Sequence, residues 1–128
     1  MNLLLDTHVA LWAITDSPRL SERARSLVAD PANTVWVSVA SLWEIAIKQS
    51  LGRGDMPITA GQGKAWFEQS GYRLLPIEAP HVLTAAQLPA RHNDPFDRLL
   101  VAQALTEPLH LITHDAQVAS YSDTVILI

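Results

Sequence analysis

The sequence contains no cysteine. That removes disulfides, thiolate nucleophiles and thiolate-held zinc in one step. Glycine is sparse, at 5 in 128 residues, and none stands in a GxxxxGK or GxGxxG setting, so the usual glycine-rich nucleotide cradles are excluded. Long apolar runs are missing as well. "NLLLD", "VWVSV", "LHLIT" and "TVILI" fall far short of the roughly 20 residues that cross a bilayer. The opening "MNLLLDTH" lacks a basic segment and meets an acid at position 6, which is not the pattern of a signal peptide. No serine sits in a GxSxG elbow, so "THD" at 113–115 is not read as part of a hydrolase triad. Basic charge is also scarce. Lys+Arg 9 against Asp+Glu 13 gives a net charge of −4, which argues against a broad basic surface for nucleic acid. If several acids gather around a metal, the remaining surface is close to neutral, so the balance weakens that reading without removing it. The absences together describe a cytoplasmic protein with no membrane attachment.

What is present is an ordinary globular composition, 48% apolar and 17% charged. At 128 residues the chain reads as one domain over 1–128 with a substantial core. It has no internal repeat, low-complexity tract or linker. Strand-like and helix-like segments alternate. Strands are expected at 2–6, 34–38, 72–77, 109–113 and in "TVILI". Helices are expected at 7–14, 21–30, 38–51 (ended by Gly52 and Gly54), 60–70, 79–88, 95–106 and 115–120. Such alternation implies an α/β domain with a mainly parallel sheet.

Ligands in these folds bind beyond the carboxyl ends of the strands. The acids sort to that end. Asp6 closes the first strand, Asp115 follows "LHLIT", Glu44 lies in the helix after "TVWVS", and Asp94 and Asp97 open the helix before "LHLIT". Each has a bland reading. Asp94 before Pro95 suits an N-cap, and Asp97 on the third helical position is favoured by the helix dipole. Asp6 and Asp115 can cap the helices that follow them. Glu44 lies six residues past Ser38, too deep to cap, among Leu42, Trp43, Ile45, Ala46 and Ile47. The small Ala40 and Ser41 one turn earlier leave space beside its carboxylate. No obvious basic partner accompanies it in the core; a surface pair with Lys48 is its bland reading.

His8, His92 and His114 each lie within two residues of an acid. A histidine-rich transition-metal site is therefore conceivable, but the HExxH or paired i, i+4 spacing is lacking. Trp12, Trp36, Trp43 and Trp66 suit a core or an interface better than base stacking. Trp12, Trp43, Trp66 and Phe67 lie on helices, and only some of them can pack against one sheet. The helix at 38–51 and the segment 60–70 are the expected sites of subunit or partner contact.

Four stretches carry a resemblance across essentially the whole chain: "LLLDTHVALWA", "SVASLWEIAIK", "HNDPFDRLLVAQA" and "LITHD". Together and in this order they resemble the PIN-domain ribonucleases, and within them the VapC-type toxins of bacterial toxin–antitoxin pairs. The resemblance implies a three-layer α/β/α sandwich and a metal-dependent endoribonuclease acting on RNA. It implies a cognate VapB-type antitoxin and a homodimer. The family's acidic quartet carries over to Asp6, Glu44, Asp97 and Asp115 as catalytic and metal-binding residues, with Asp94 of "NDPFDR" as an auxiliary metal acid. Thr7 and Thr113 match hydroxyl positions beside the metal. Carboxylates are hard oxygen ligands suited to Mg²⁺ or Mn²⁺. On this reading Glu44 sits among apolar residues because it completes a metal-binding cluster. Two alternatives stand beside it. A catalytically silent PIN-like binding module conflicts with the intact quartet. A receiver-type signalling domain wants an acidic pair near the first strand and a lysine after a late one, and neither is present.

Overall fold

The computed structural model describes residues 1–52 and 56–128; Gly54, expected to help end a helix, lies outside the described residues. The sheet is organised around β1 (Asn2–Leu5), whose Leu3, Leu4 and Leu5 are all fully buried. A run of leucines without polar alternation is what a strand covered on both faces requires. β2 (Thr34–Ser38) pairs on one side of β1 and β4 (His110–Thr113) on the other. β3 (Arg73–Leu75) and β5 (Ile126–Leu127) form the edges, giving the order β3-β2-β1-β4-β5 with every pairing parallel. Leu5 lies opposite Val37 and Ile112, which puts the carboxyl ends of the three central strands level.

Helices cover both faces. Leu3, Leu5, Val37 and Ile112 pack with residues of α1 (Thr7–Ile14), α2 (Glu22–Ala29), α3 (Val39–Ser50) and α4 (Ala60–Gln69), among them Val9, Ala24, Ile45 and Phe67. Leu4 and Leu111 pack with Leu100, Val101 and Ala104 of α6 (Pro95–Thr106) and Val118 of α7 (Ala116–Ala119). The fold is the expected three-layer α/β/α sandwich. α5 (Ala79–Gln87) lies against α6, held there by the buried His81. Its Nδ1 accepts the Glu78 N–H at 3.0 Å and its Nε2 donates to Glu107 at 2.5 Å.

Local chemistry sets the element ends. Ser21 and Ser38 cap α2 and α3 by accepting from Ala24 and Ala40 N–H. α2 stops before Pro31 and α5 before Pro89, because a residue preceding proline is pushed out of the helical region; Asp30 and Leu88 have ψ 117 and 145. Gly52 follows α3 with φ 68, a left-handed conformation that glycine adopts without strain. The edge strands are shorter than the sequence pattern. β3 ends before Pro76, which has no N–H to add to a ladder. Phe67 goes fully inside, whereas Trp43 remains 62% and Trp66 37% exposed. None of the described helices is long and apolar enough to cross a membrane.

From β1 the chain moves outward through β2 to β3, then returns to build β4 and β5 on the opposite side. The connections leaving β1 and β4 therefore diverge, and a crevice opens at the carboxyl ends of these neighbouring strands.

Candidate active site

Asp6 sits at the mouth of that crevice. It is the N-cap of α1, and its Oδ1 accepts the Val9 N–H at 2.8 Å. Its Oδ2 accepts from Thr113 Oγ1, at the end of β4, at 2.6 Å. The Thr113 hydroxyl oxygen in turn accepts the Asp115 N–H at 3.1 Å, so one threonine spaces the two acids. Asp6 is 5% exposed, and this burial pushes its pKa above the ordinary range against the pull of Thr113, Val9 N–H and two nearby histidines.

Glu44 comes from the second turn of α3 and is 3% exposed. Thr7 Oγ1 donates to its Oε1 at 2.6 Å, and Ser41 Oγ lies 2.9 Å from the same hydroxyl. The space left by Ala40 and Ser41 is thus filled by Thr7. The expectation of no basic partner in the interior is corrected here. Lys48 Nζ lies 2.7 Å from Oε2, and the lysine side chain is only 21% exposed, so the pair belongs to the crevice. The i, i+4 spacing of the sequence permitted this contact; its direction depended on how α3 rolls against β1.

The remaining acids divide by role. Asp94 caps α6 with Oδ1, accepting from the Phe96 and Asp97 N–H groups at 2.8 and 3.2 Å. Asp115 caps α7, accepting the Gln117 N–H at 2.8 Å. Capping therefore describes Asp6, Asp94 and Asp115 correctly, but each cap uses only Oδ1. Asp97 caps nothing. Its Oδ2 accepts from His92 Nε2 at 2.7 Å, and its pKa is pushed up to about 6, first by burial and then by the charges of Asp94 and Asp6. His92 Nδ1 lies 2.9 Å from Gln117 Oε1, and the bond to Asp97 leads the rise in the histidine's pKa. His92 Nε2 is also 3.9 Å from Asp115 Oδ2.

Asp6, Glu44, Asp94, Asp97 and Asp115 line one pocket of about 220 Å³. Lys48, His8, His92 and His114 complete its wall. Burial raises the pKa of both Asp6 and Asp97, and for Asp97 the charges of Asp94 and Asp6 add to the rise. Oxygen donors in such a pocket fit a hard divalent cation. One ligand atom from each of His92, Asp97 and Asp115 can be chosen within 4.8 Å of one another, a histidine contribution that an acid-only reading omits.

Arg98, one residue after Asp97, was silent in the sequence. Its guanidinium donates to the carbonyls of Ala85, Leu88, Pro89 and His92 and to Tyr121 Oη, at 2.9 to 3.4 Å. It pins the α5–α6 connection that carries His92 and Asp94. A basic residue inside "NDPFDR" was the available signal.

A parallel α/β sandwich with carboxylates gathered at its switch point defines a class of acidic-pocket domains built to bind cations. The PIN-domain family model matches residues 3–123, and the chain belongs to this family. It is 31% identical over 122 residues to ribonuclease VapC22 of Mycobacterium tuberculosis, spanning 93% of this chain and 91% of that protein. Among solved structures, VapBC2 of Rickettsia felis bound to a promoter DNA fragment superposes with TM-score 0.69 at 18% identity, covering 100% of this chain and 98% of the other. VapBC-1 of nontypeable Haemophilus influenzae gives TM-score 0.65 at 19% identity, covering 100% and 97%. Membership of the PIN family removes the receiver-type alternative.

Proposed function

We propose that this PIN domain, over residues 1–128, is a cytoplasmic endoribonuclease that hydrolyses RNA phosphodiester bonds with Mg²⁺ or Mn²⁺. It is the toxin of a toxin–antitoxin pair, a homodimer restrained by a cognate VapB-type antitoxin. One observation carries this reading: acids from four separate elements line a single pocket in a member of the PIN family. The similarity to ribonuclease VapC22 supports the choice of RNA, and the likeness to VapBC structures supports the antitoxin.

Asp6, Glu44, Asp97 and Asp115 hold the cation, with Asp94 as an auxiliary acid. A cation held there would supply Lewis-acid chemistry: orientation of the scissile phosphate, activation of water and compensation of leaving-group charge. The chain's own groups prepare this. Thr113 and the Val9 N–H hold both oxygens of Asp6, and Thr7 fixes Glu44. Lys48 Nζ and His92 Nε2 lie within the pocket, placed to bind non-bridging phosphate oxygens once substrate competes with their carboxylates. The test is cleavage of single-stranded RNA with Mg²⁺ or Mn²⁺, with chelator, and by Asp6→Asn. Cleavage is expected to need the metal and to fall by orders of magnitude in the variant. Survival under exhaustive chelation overturns the metal assignment. Tight RNA binding without any cleavage favours the silent binding module.

A further inference from the structure

The acidic pocket has a neighbour. A second cavity of about 220 Å³ opens beside it, formed where α1 ends and the chain turns toward α2. His8 lines both cavities. The rings of His8, His114 and Trp12 run from one to the other: His8 and His114 centroids are 5.5 Å apart, and Trp12 stands 4.9 Å from His114 and 6.1 Å from His8. Beyond Trp12 the wall turns polar, with Thr15, Ser17 and Arg19. Thr15 Oγ1 spends its proton on the Leu11 carbonyl at 2.7 Å and keeps its lone pairs. Ser17 Oγ accepts the Arg19 N–H at 3.2 Å and keeps its proton. One acceptor, one donor and one guanidinium therefore surround an aromatic floor.

We propose that this second cavity is a nucleobase subsite, in which the nucleotide next to the scissile phosphate stacks on Trp12 and the histidine rings. The following phosphate meets Arg19. The inference rests on the ribonuclease reading and adds a substrate class: RNA with an unpaired base beside the cut, since a paired base would first have to give up its pairing and stacking to enter. Aromatic stacking of this kind tolerates every base, because every base presents a π-face. The shared His8 fixes the occupant. A nucleic acid with its phosphate among the carboxylates has the second cavity beside it, across the one shared histidine.

The test begins with substrate, so that folding plays no part. Short single-stranded RNAs carrying an abasic ribose on either side of the cut are compared with intact RNA. Two readouts are used: affinity for the Asp97→Asn protein by fluorescence anisotropy, and kcat/KM for the wild type. One abasic position is expected to lose about ten- to a hundredfold in both, chiefly through Kd and KM. Trp12→Leu is expected to bind intact and abasic RNA equally, and Trp12→Phe to keep most of the discrimination. Equal handling of intact and abasic RNA by the wild-type pocket overturns the subsite while leaving ribonuclease activity standing. An absence of cleavage with base-dependent binding preserved supports the subsite and sinks the ribonuclease reading instead. If Trp12→Leu weakens only the antitoxin complex, the cavity is a protein-docking surface and the proposal is refuted.

Discussion

Asp97→Asn should make the protein more stable while it abolishes activity, and the size of the gain follows from the pocket. The Asp97 carboxyl titrates at about 6 instead of 3.8. At ~1.4 kcal/mol per pH unit, the folded state disfavours the charged form by roughly 3 kcal/mol. The side chain is 25% exposed, and solvent screening reduces the figure to about 1–3 kcal/mol. The opposing effect is the helix dipole, which favours an acid in the first turn by only ~0.3–1 kcal/mol. Burial and like charge win. Asparagine keeps the shape and an oxygen that can accept from His92 Nε2, so the hydrogen bond survives and the penalty goes.

The sign of the pH dependence follows. A carboxyl with a raised folded-state pKa binds its proton more tightly when folded. Its contribution to stability is fully present below about pH 4 and is lost as pH rises through about 6. The variant never titrates there. His92, also raised, favours the folded state below its own ordinary range and loses that effect above it, so the comparison is cleanest near pH 8. Thermal unfolding in chelator is the assay. The variant should melt about 5–10 °C above wild type at pH 8, with the difference vanishing near pH 4. Mg²⁺ should then raise the wild-type midpoint, by about 2.7 kcal/mol at a hundred times its Kd, and the variant's far less. A variant less stable at pH 8, or a difference independent of pH, refutes the argument and returns Asp97 to service as a dipole-favoured helix acid.

Three further outcomes are expected. Thr113→Val removes the 2.6 Å donor to the buried Asp6 carboxylate; it should cost about 1–3 kcal/mol and move the acidic limb of the pH–rate profile to higher pH, because that bond holds the Asp6 pKa down. Arg98→Ala strips the α5–α6 connection of its hydrogen bonds and should cost about 2–4 kcal/mol by urea unfolding; Arg98→Lys should rescue little, since a point charge cannot span the fork, and full rescue defeats the account. Light scattering should find a homodimer, and Trp43→Ala, whose ring is 62% exposed, should weaken the dimer or the antitoxin complex by about 2 kcal/mol; no change in either removes α3 from the interface.

Local rules made much of this legible. β1 was readable because three leucines stop at an acid, and the helix starts because each has a serine, threonine, aspartate or proline in the right place. Asp6, Asp94, Asp97 and Asp115 could be sorted to one end of the sheet because each follows a strand or opens a helix. The illegible parts are those decided at long range. Lys48 was visible as an i, i+4 neighbour of Glu44, but whether the pair faced solvent or crevice depended on Thr7, far away in sequence, filling the other side of the carboxylate. His92 lies in an irregular connection, and no periodicity announces that its ring bridges Asp97 and Gln117. Arg98 serves five oxygen atoms on four separate stretches, a convergence with no local pattern. The short β3 and β5 reflect edge positions where pairing on one side alone does not extend the ladder.

Placement also resolves the tension between acidic charge and a polyanionic substrate. Five of the 13 acids line the pocket. Setting aside those five acids and Lys48, which also lines the pocket, the remaining 8 Lys+Arg and 8 acids balance. Net charge therefore reports the pocket more than the rest of the chain. Within the pocket two carboxylates already have nitrogen partners from the chain itself, Lys48 on Glu44 and His92 on Asp97. A divalent ion bound through Glu44 Oε2 or Asp97 Oδ2 would compete with these contacts for the same oxygens. Such an ion would release Lys48 Nζ and His92 Nε2 from those oxygens, and a side chain still paired with its carboxylate is not free to meet any other anion.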